Sequence, residues 1–154
     1  MTTGLKPDQM KELDFLLGTW KCDAEVSMQG LPAKSQMVGV IHPIHDGKWY
    51  QWDIQSLARA GRTTWVAGWN PAASNFQVYF YDNHGLHGSE ASVGSSWESG
   101  KLKFTGTMYT HEGKVEVIDE FTRIDENSFH DDFYIRVNDE WKQVVHGECY
   151  RLVV

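Results

Sequence analysis

Phe15-Leu16-Leu17-Gly18-Thr19-Trp20 decides the fold once it is read against Glu148-Cys149-Tyr150-Arg151 at the far end of the chain. A Gly-x-Trp that opens a first strand, answered by an Arg near the end of the last one, is how small up-and-down β-barrels close. The indole plugs one end and the cation from the last strand stacks over its ring. Trp20 and Arg151 are therefore expected to face each other across an antiparallel pair. The sheet then curls shut and has no free edge. The same register sets Cys22 opposite Cys149, with Cα atoms roughly 4.5–5.5 Å apart.

Composition agrees with one such barrel. The chain has 154 residues, enough for one domain with a real core. Seven Trp, seven Phe and six Tyr, with fourteen Gly, suit many short strands joined by tight turns. A net charge of −7 argues against nucleic acid and anionic membrane as partners, because both call for basic patches. No apolar run approaches ~18 residues, so no membrane-spanning helix is expected. Met1-Thr2-Thr3-Gly4-Leu5 shows no basic stretch followed by an apolar one. The expected address is the cytosol, where Cys22 and Cys149 stay as free thiols. Oligomeric state is not legible.

The hydrophobic signal has period two almost throughout. After a short helix over 7–14, ten strands are expected at about 14–26, 36–45, 48–57, 62–69, 75–82, 88–98, 101–110, 114–124, 129–137 and 141–152. The fold class is thus all-β, a closed antiparallel barrel. Tight turns set the registers. Asp46-Gly47 pairs His45 with Lys48. Glu112-Gly113 sets Gly106 against Asp119, Phe104 against Phe121 and Leu102 against Arg123. Ser99-Gly100 sets Trp97 against Leu102 and Val93 against Gly106. Three-residue loops at 126–128 and 138–140 pair Phe121 with Phe133, Arg123 with Asp131, Phe133 with Val145 and Phe129 with Cys149. With Trp20 and Arg151 at the closed end, the loops at 27–35, 58–61, 83–87, 111–113 and 138–140 ring the open one.

Phe15-Leu16-Leu17-Gly18-Thr19-Trp20, Asp46-Gly47-Lys48-Trp49, Gly68-Trp69-Asn70-Pro71 and the closing Tyr150-x-Leu152 resemble the bacterial lipocalin-like (calycin) domains. The resemblance is closest to a branch with a leucine-rich Gly-x-Trp start and a central Tyr-Asp-Pro turn, here Trp69-Asn70-Pro71. It covers residues 10 to 152 and implies a ligand-binding barrel. Carriers, haem proteins and enzymes share that architecture. A more distant resemblance to nitrobindin implies haem held by a histidine near the C-terminus. His146 is the candidate in the last strand, yet the register turns it outward with Glu148 and Tyr150. Haem is accordingly a minor alternative, and no cofactor is expected.

Aromatic lining is the clearest functional feature. Tyr50, Trp52, Trp65, Phe80, Phe104, Phe121 and Phe133 all fall on the inward face. Small barrels also fill with such rings and leave no cavity. Gly106, Gly147, Ala67 and Ala91 on the same face argue for open volume. Asp119, mid-strand between Val117 and Phe121, is the most unusual inward residue. Desolvation would raise its pKa and fit it to acid–base work, and a bond to buried water would explain it equally well. Asp82, His84 and His87 sit at the mouth, where the carboxylate would orient a proton-shuttling imidazole or simply build a turn. Arg123 with Asp131 is expected to lock the closed end. His42 and His45 are read as structural or surface groups. His130, Asp132, Tyr134 and Arg136 alternate on the outer face. No metal site is read from the chain, and nucleophile elbows, phosphate loops and dinucleotide fingerprints are missing.

Two functions stay open. One is a module binding a small apolar or aromatic molecule in the barrel. The other is a cofactor-independent enzyme, an isomerase, cyclase or lyase, using Asp119 or the Asp82/His84 group on such a molecule.

Overall fold

The computed structural model describes residues 6–27, 33–57 and 61–153. Ten antiparallel strands form a closed barrel in the order β1-β10-β9-β8-β7-β6-β5-β4-β3-β2. They are β1 (Gly18–Val26), β2 (Lys34–Ile44), β3 (Trp49–Ser56), β4 (Arg62–Asn70), β5 (Asn75–Asp82), β6 (His87–Ser92), β7 (Lys101–Thr110), β8 (Gly113–Asp125), β9 (Ser128–Val137) and β10 (Glu140–Arg151). A 3-10 helix, Asp8–Leu16, precedes them. The expected mouth loops at 27–35 and 58–61 lie partly outside the described residues.

Closure follows the terminal motif. β1 pairs with β10 with Trp20 against Arg151 and Cys22 against Cys149. The guanidinium carbon of Arg151 lies 4.3 Å from the centroid of the Trp20 ring. Its nitrogens donate to the carbonyls of Leu17 and Phe15, the latter at 2.9 Å. The Trp20 indole donates to the Leu16 carbonyl at 2.7 Å. One cation thus ties the last strand to the approach of the first, and consumes carbonyls that the chain leaves bare where the 3-10 helix ends. That helix buries Met10, Leu13 and Leu16 over the barrel floor. Phe129 meets Trp20 edge-on at 4.7 Å to complete it.

The cysteines differ from expectation. Cys22 and Cys149 form a disulfide, with Cα atoms 4.0 Å apart. The register that closes the barrel also puts the two sulfurs in bonding reach, so the free thiols expected for a cytosolic chain are replaced by a covalent seam.

Loop lengths move several registers without inverting most faces. The β7–β8 turn uses His111 and Glu112 as its loop, with Thr110 against Gly113. Shifting the loop by one residue moves every partner by two, so Phe104 meets Asp119 and Gly106 meets Val117, while Asp119 still points inward. Between β8 and β9 a two-residue loop and an irregularity at Arg123/Asp125 set Phe121 against Asp131 and Arg123 against Phe129. The expected Arg123–Asp131 lock therefore does not form. Arg123 instead lies over Phe15 at 4.1 Å, under the closed end. Between β9 and β10 a bulge at Gln143/Val145 compensates for the short loop and restores Phe133 against Val145 and Phe129 against Cys149, as expected.

β6 is the strand whose faces were inverted in the sequence reading. The turn at 99–100 does pair Glu98 with Lys101. The chain then leaves the ladder after Ser92, and β6 rejoins β7 with Glu90 against Gly106 and Ser92 against Phe104. Three residues are absorbed in between, an odd number, so Glu90 and Ser92 turn inward and Val93 is exposed. Gly106 is needed for backbone approach: a Cβ there would stand 1.9 Å from the Ser89 carbonyl oxygen. It leaves no room beside Asp119. Among the described residues no helix is long and apolar enough to cross a membrane.

The disulfide generates a direct test. Denatured, unreduced protein is expected to give no free thiol on titration, although the chain has two cysteines. Cys149→Ser is expected to lower unfolding stability by roughly 2–5 kcal/mol in urea titrations, since the crosslink closes a loop spanning most of the chain. A full thiol titre from the unreduced protein would contradict the seam.

Candidate functional site

The barrel is filled at its closed end and hollow above. A cavity of about 670 Å³ opens at the mouth, and Trp52, Trp65, Phe80, Phe121 and Phe133 form much of its wall. Trp65 meets Trp52 at 6.3 Å and Phe121 at 5.8 Å, both edge to face, a geometry that leaves ring faces and edges available to a guest. Met37, Ile54 and Met108 add flexible apolar surface. Two of the expected wall residues are placed elsewhere. Tyr50 is buried by the floor, where its hydroxyl donates to Asp14 at 2.5 Å. Phe104 is fully buried behind Trp65 and Phe121.

Three carboxyl groups reach the cavity from adjoining strands: Glu90 on β6, Asp119 on β8 and Asp131 on β9. Asp119 and Asp131 are hydrogen-bond neighbours, and a carboxyl–carboxyl bond requires a proton between them. Burial, then the charge of Asp131, holds the Asp119 carboxyl well above the usual carboxylate range. Burial raises Asp131 as well, opposed by its bond to Asp119 and reinforced by Asp132. Glu90 is pushed up to about 8, mainly by burial and then by the charge of Asp131. Among the described residues, one oxygen on each of the three finds no hydrogen-bond partner, and neither do the indole nitrogens of Trp52 and Trp65. Buried polar atoms of folded proteins are nearly always paired. All five belong to residues that line the cavity, and each atom is itself shielded from solvent.

Sequence reasoning found Asp119 and missed the other two. Asp131 was assigned to Arg123 by a register two residues out, and Glu90 was turned outward by the misread excursion after Ser92. A lone Glu between Ser89 and Ala91 carried no signal of its own.

The mouth groups are placed differently from one another. The Asp82 carboxylate accepts the backbone N–H groups of His84 and Leu86, both at 2.9 Å, so it builds the turn. His84 and His111 both line the opening, and the His111 ring donates to the His84 carbonyl at 2.9 Å. His87 is exposed and stacks on Tyr109 at 5.1 Å, outside the cavity lining. His146 is also on the outer wall, its Nδ1 2.6 Å from Asp132. A haem inside the barrel would be beyond its reach, so the donor set does not fit a haem ligated through this histidine.

Comparison with known proteins adds the fold and the family. The crystal structure of Rv2717c from M. tuberculosis superposes with a TM-score of 0.73, over 96% of this chain and 99% of that one, at 12% identity. At that identity the likeness is one of fold alone. No curated protein matches the sequence. The model of the family described as "Protein of unknown function (DUF1579)" matches residues 6–151, from the floor helix to the closing Arg151, and the chain belongs to that family.

Proposed function

We propose that this protein binds a small aromatic molecule carrying a basic nitrogen, in the manner of a lipocalin-like carrier. The observation that carries the reading is the convergence of three carboxyl groups, the buried Glu90 and Asp119 and the half-buried Asp131, on one aromatic-walled cavity. The volume falls within the range usual for small-molecule sites. Ring faces and edges would hold the aromatic body, and a protonated amine would replace the proton that Asp119 and Asp131 share. A cation is the guest that relieves the repulsion among the carboxyls, where a neutral hydrocarbon would leave every unpaired oxygen unpaired.

A second reading rests on the Asp119–Asp131 pair itself. Two carboxyls holding one proton supply an acid and a base within one site, which suits proton transfer in an isomerisation, cyclisation or elimination. On that reading Asp119→Asn lowers turnover by about 100-fold or more with little change in substrate affinity. On the carrier reading there is no turnover to lose.

The carrier reading is tested by an arylalkylamine and the neutral alcohol of the same shape, followed by tryptophan fluorescence at pH 8. The amine is expected to bind about 10–100-fold more tightly, the worth of one charge-assisted hydrogen bond. The gap is expected to vanish when Asp119 and Asp131 are both changed to Asn. Equal binding of the two compounds would overturn the cationic guest, and binding of neither would overturn the carrier.

Stability should follow pH in a defined direction. Glu90 has a folded pKa of about 8 against an ordinary value of 4.5, so the folded state holds a proton that the unfolded chain has released between those limits. Its contribution is complete at about pH 4 and is lost as pH climbs toward 8. Urea midpoints measured from pH 5 to 8 are expected to fall, and to fall less steeply in Glu90→Gln. A midpoint rising through this window, in the protein without guest, would contradict the buried neutral acid.

A further inference from the structure

On the outer wall, away from the cavity, β9 and β10 bring together side chains that the reading above leaves unused. Glu148 pairs in register with His130, and His146 with Asp132. Because residues two apart on a strand share a face, all four side chains stand on one patch. His146 Nε2 is 3.4 Å from Glu148 Oε1, and His130 Nε2 is 4.0 Å from the same oxygen. The ligand atoms of His130, His146 and Glu148 all lie within 4.8 Å of one another. In a tetrahedral zinc site with bonds of about 2.05 Å, neighbouring ligand atoms are roughly 3.3–3.4 Å apart. One of the three separations already has that value, and the other two must shorten on binding, from 4.0 Å for His130 to Glu148 and from within 4.8 Å for the two histidines.

The hydrogen bonding of His146 sharpens the point. Its Nδ1 sits 2.6 Å from Asp132, so in the neutral ring the one N–H is used there. Nε2 then presents its lone pair to a Glu148 oxygen, which presents lone pairs of its own. His130 aims a third donor atom at the same place. A proton on Nε2 can join His146 to Glu148 but leaves His130 outside the contact, whereas a divalent cation can take all three. Asp132 also supplies what a metal-bound imidazole usually has, a carboxylate on its other nitrogen that fixes tautomer and orientation, and it is itself held by Gln143 at 2.8 Å.

We propose that His130, His146 and Glu148 bind a zinc ion on the outer wall, with Asp132 positioning His146. Two imidazoles and one carboxylate suit zinc over calcium or magnesium, which prefer all-oxygen sites. Three protein ligands leave a fourth coordination position. A surface groove of about 550 Å³ bordered by Asp23, Glu25, Lys34 and Gln36 has His146 and Glu148 in its wall. The fourth ligand would be water or a donor group of a molecule seated in that groove. The site is independent of the cavity, since its side chains face away from the barrel interior.

The experiment uses untagged, disulfide-intact protein freed of metal by a chelator. Calorimetric titration with zinc chloride is expected to show one zinc per chain. Cobalt(II) in its place is expected to give the intense visible absorption of a low-coordinate site, bleached when zinc is added. His130→Ala and His146→Ala are each expected to weaken binding by about 100-fold, and Asp132→Asn by roughly 10-fold, as outer partners of a metal ligand do. Asp119→Asn, inside the barrel, is expected to leave zinc affinity unchanged. Circular dichroism of each variant checks that the barrel is intact. Absence of saturable zinc binding in the parent protein, or an affinity in either histidine variant equal to the parent's, would overturn the site.

Discussion

Pairing of β1 with β10 is the constraint from which the rest follows. It fixes Trp20 beneath Arg151, brings Cys22 to Cys149 and leaves no strand edge open. Each element of that seam is modest alone. A cation over an indole is worth about 0.5–2 kcal/mol, and a charged hydrogen bond to a carbonyl about 1.5–3. Together with the crosslink they hold the two strands that are farthest apart in sequence, the contact with the largest loop-closure cost. Once this contact exists, the remaining strands join neighbour to neighbour through short turns, and an interior becomes obligatory.

What the interior contains is then decided by electrostatics as much as by packing. At the closed end Trp20, Tyr50 and Trp97 each send their polar atom to a carbonyl or carboxylate of the floor helix. In the upper half carboxyl and indole atoms lack partners among the described residues. A barrel whose only task was stability would fill that space with aliphatic side chains, because unpaired buried polar atoms each cost of the order of 1–3 kcal/mol. Stability concentrated at the floor is what makes the cost at the mouth end tolerable, a division expected where a fold carries a site.

The barrel was legible because its evidence is redundant. Period-two patterning, turn residues and the terminal Trp/Arg pair all point to the same topology. Face assignment survived on β8 and β9, because the two-residue β7–β8 loop is displaced by one residue and the shorter β8–β9 loop is joined by an irregularity beside Arg123, so both registers move by two and keep Asp119, Phe121 and Phe133 on the inner face. It failed on β6, where the excursion between Ser92 and Glu98 absorbs an odd number of residues that no turn residue announces. Glu90 was lost with it. The disulfide was missed for a different reason. The register predicted the contact, but the choice between thiols and a bond was made from an expected compartment, and geometry carries no such information. The outer-wall groups were put on one face by the expected β9–β10 register, but only the distances among His130, His146 and Glu148 join them into one site.

The character of the cavity turns on one short connection. Had Glu126-Asn127-Ser128 formed a three-residue loop, Arg123 would have faced Asp131 and neutralised it near the floor. The two-residue loop and the irregularity beside Arg123 shift the ladder, send Arg123 to the ring of Phe15 and place Asp131 opposite Phe121. The consequence is electrostatic. Asp131 joins Asp119 and Glu90 with no described cation bonded to any of them, and its charge is among the causes that raise both neighbours. A loop one residue shorter, together with that irregularity, therefore changes a closing salt bridge into an acidic, proton-holding pocket. The barrel's preference for a guest would thus be set at a turn far from the mouth through which that guest enters.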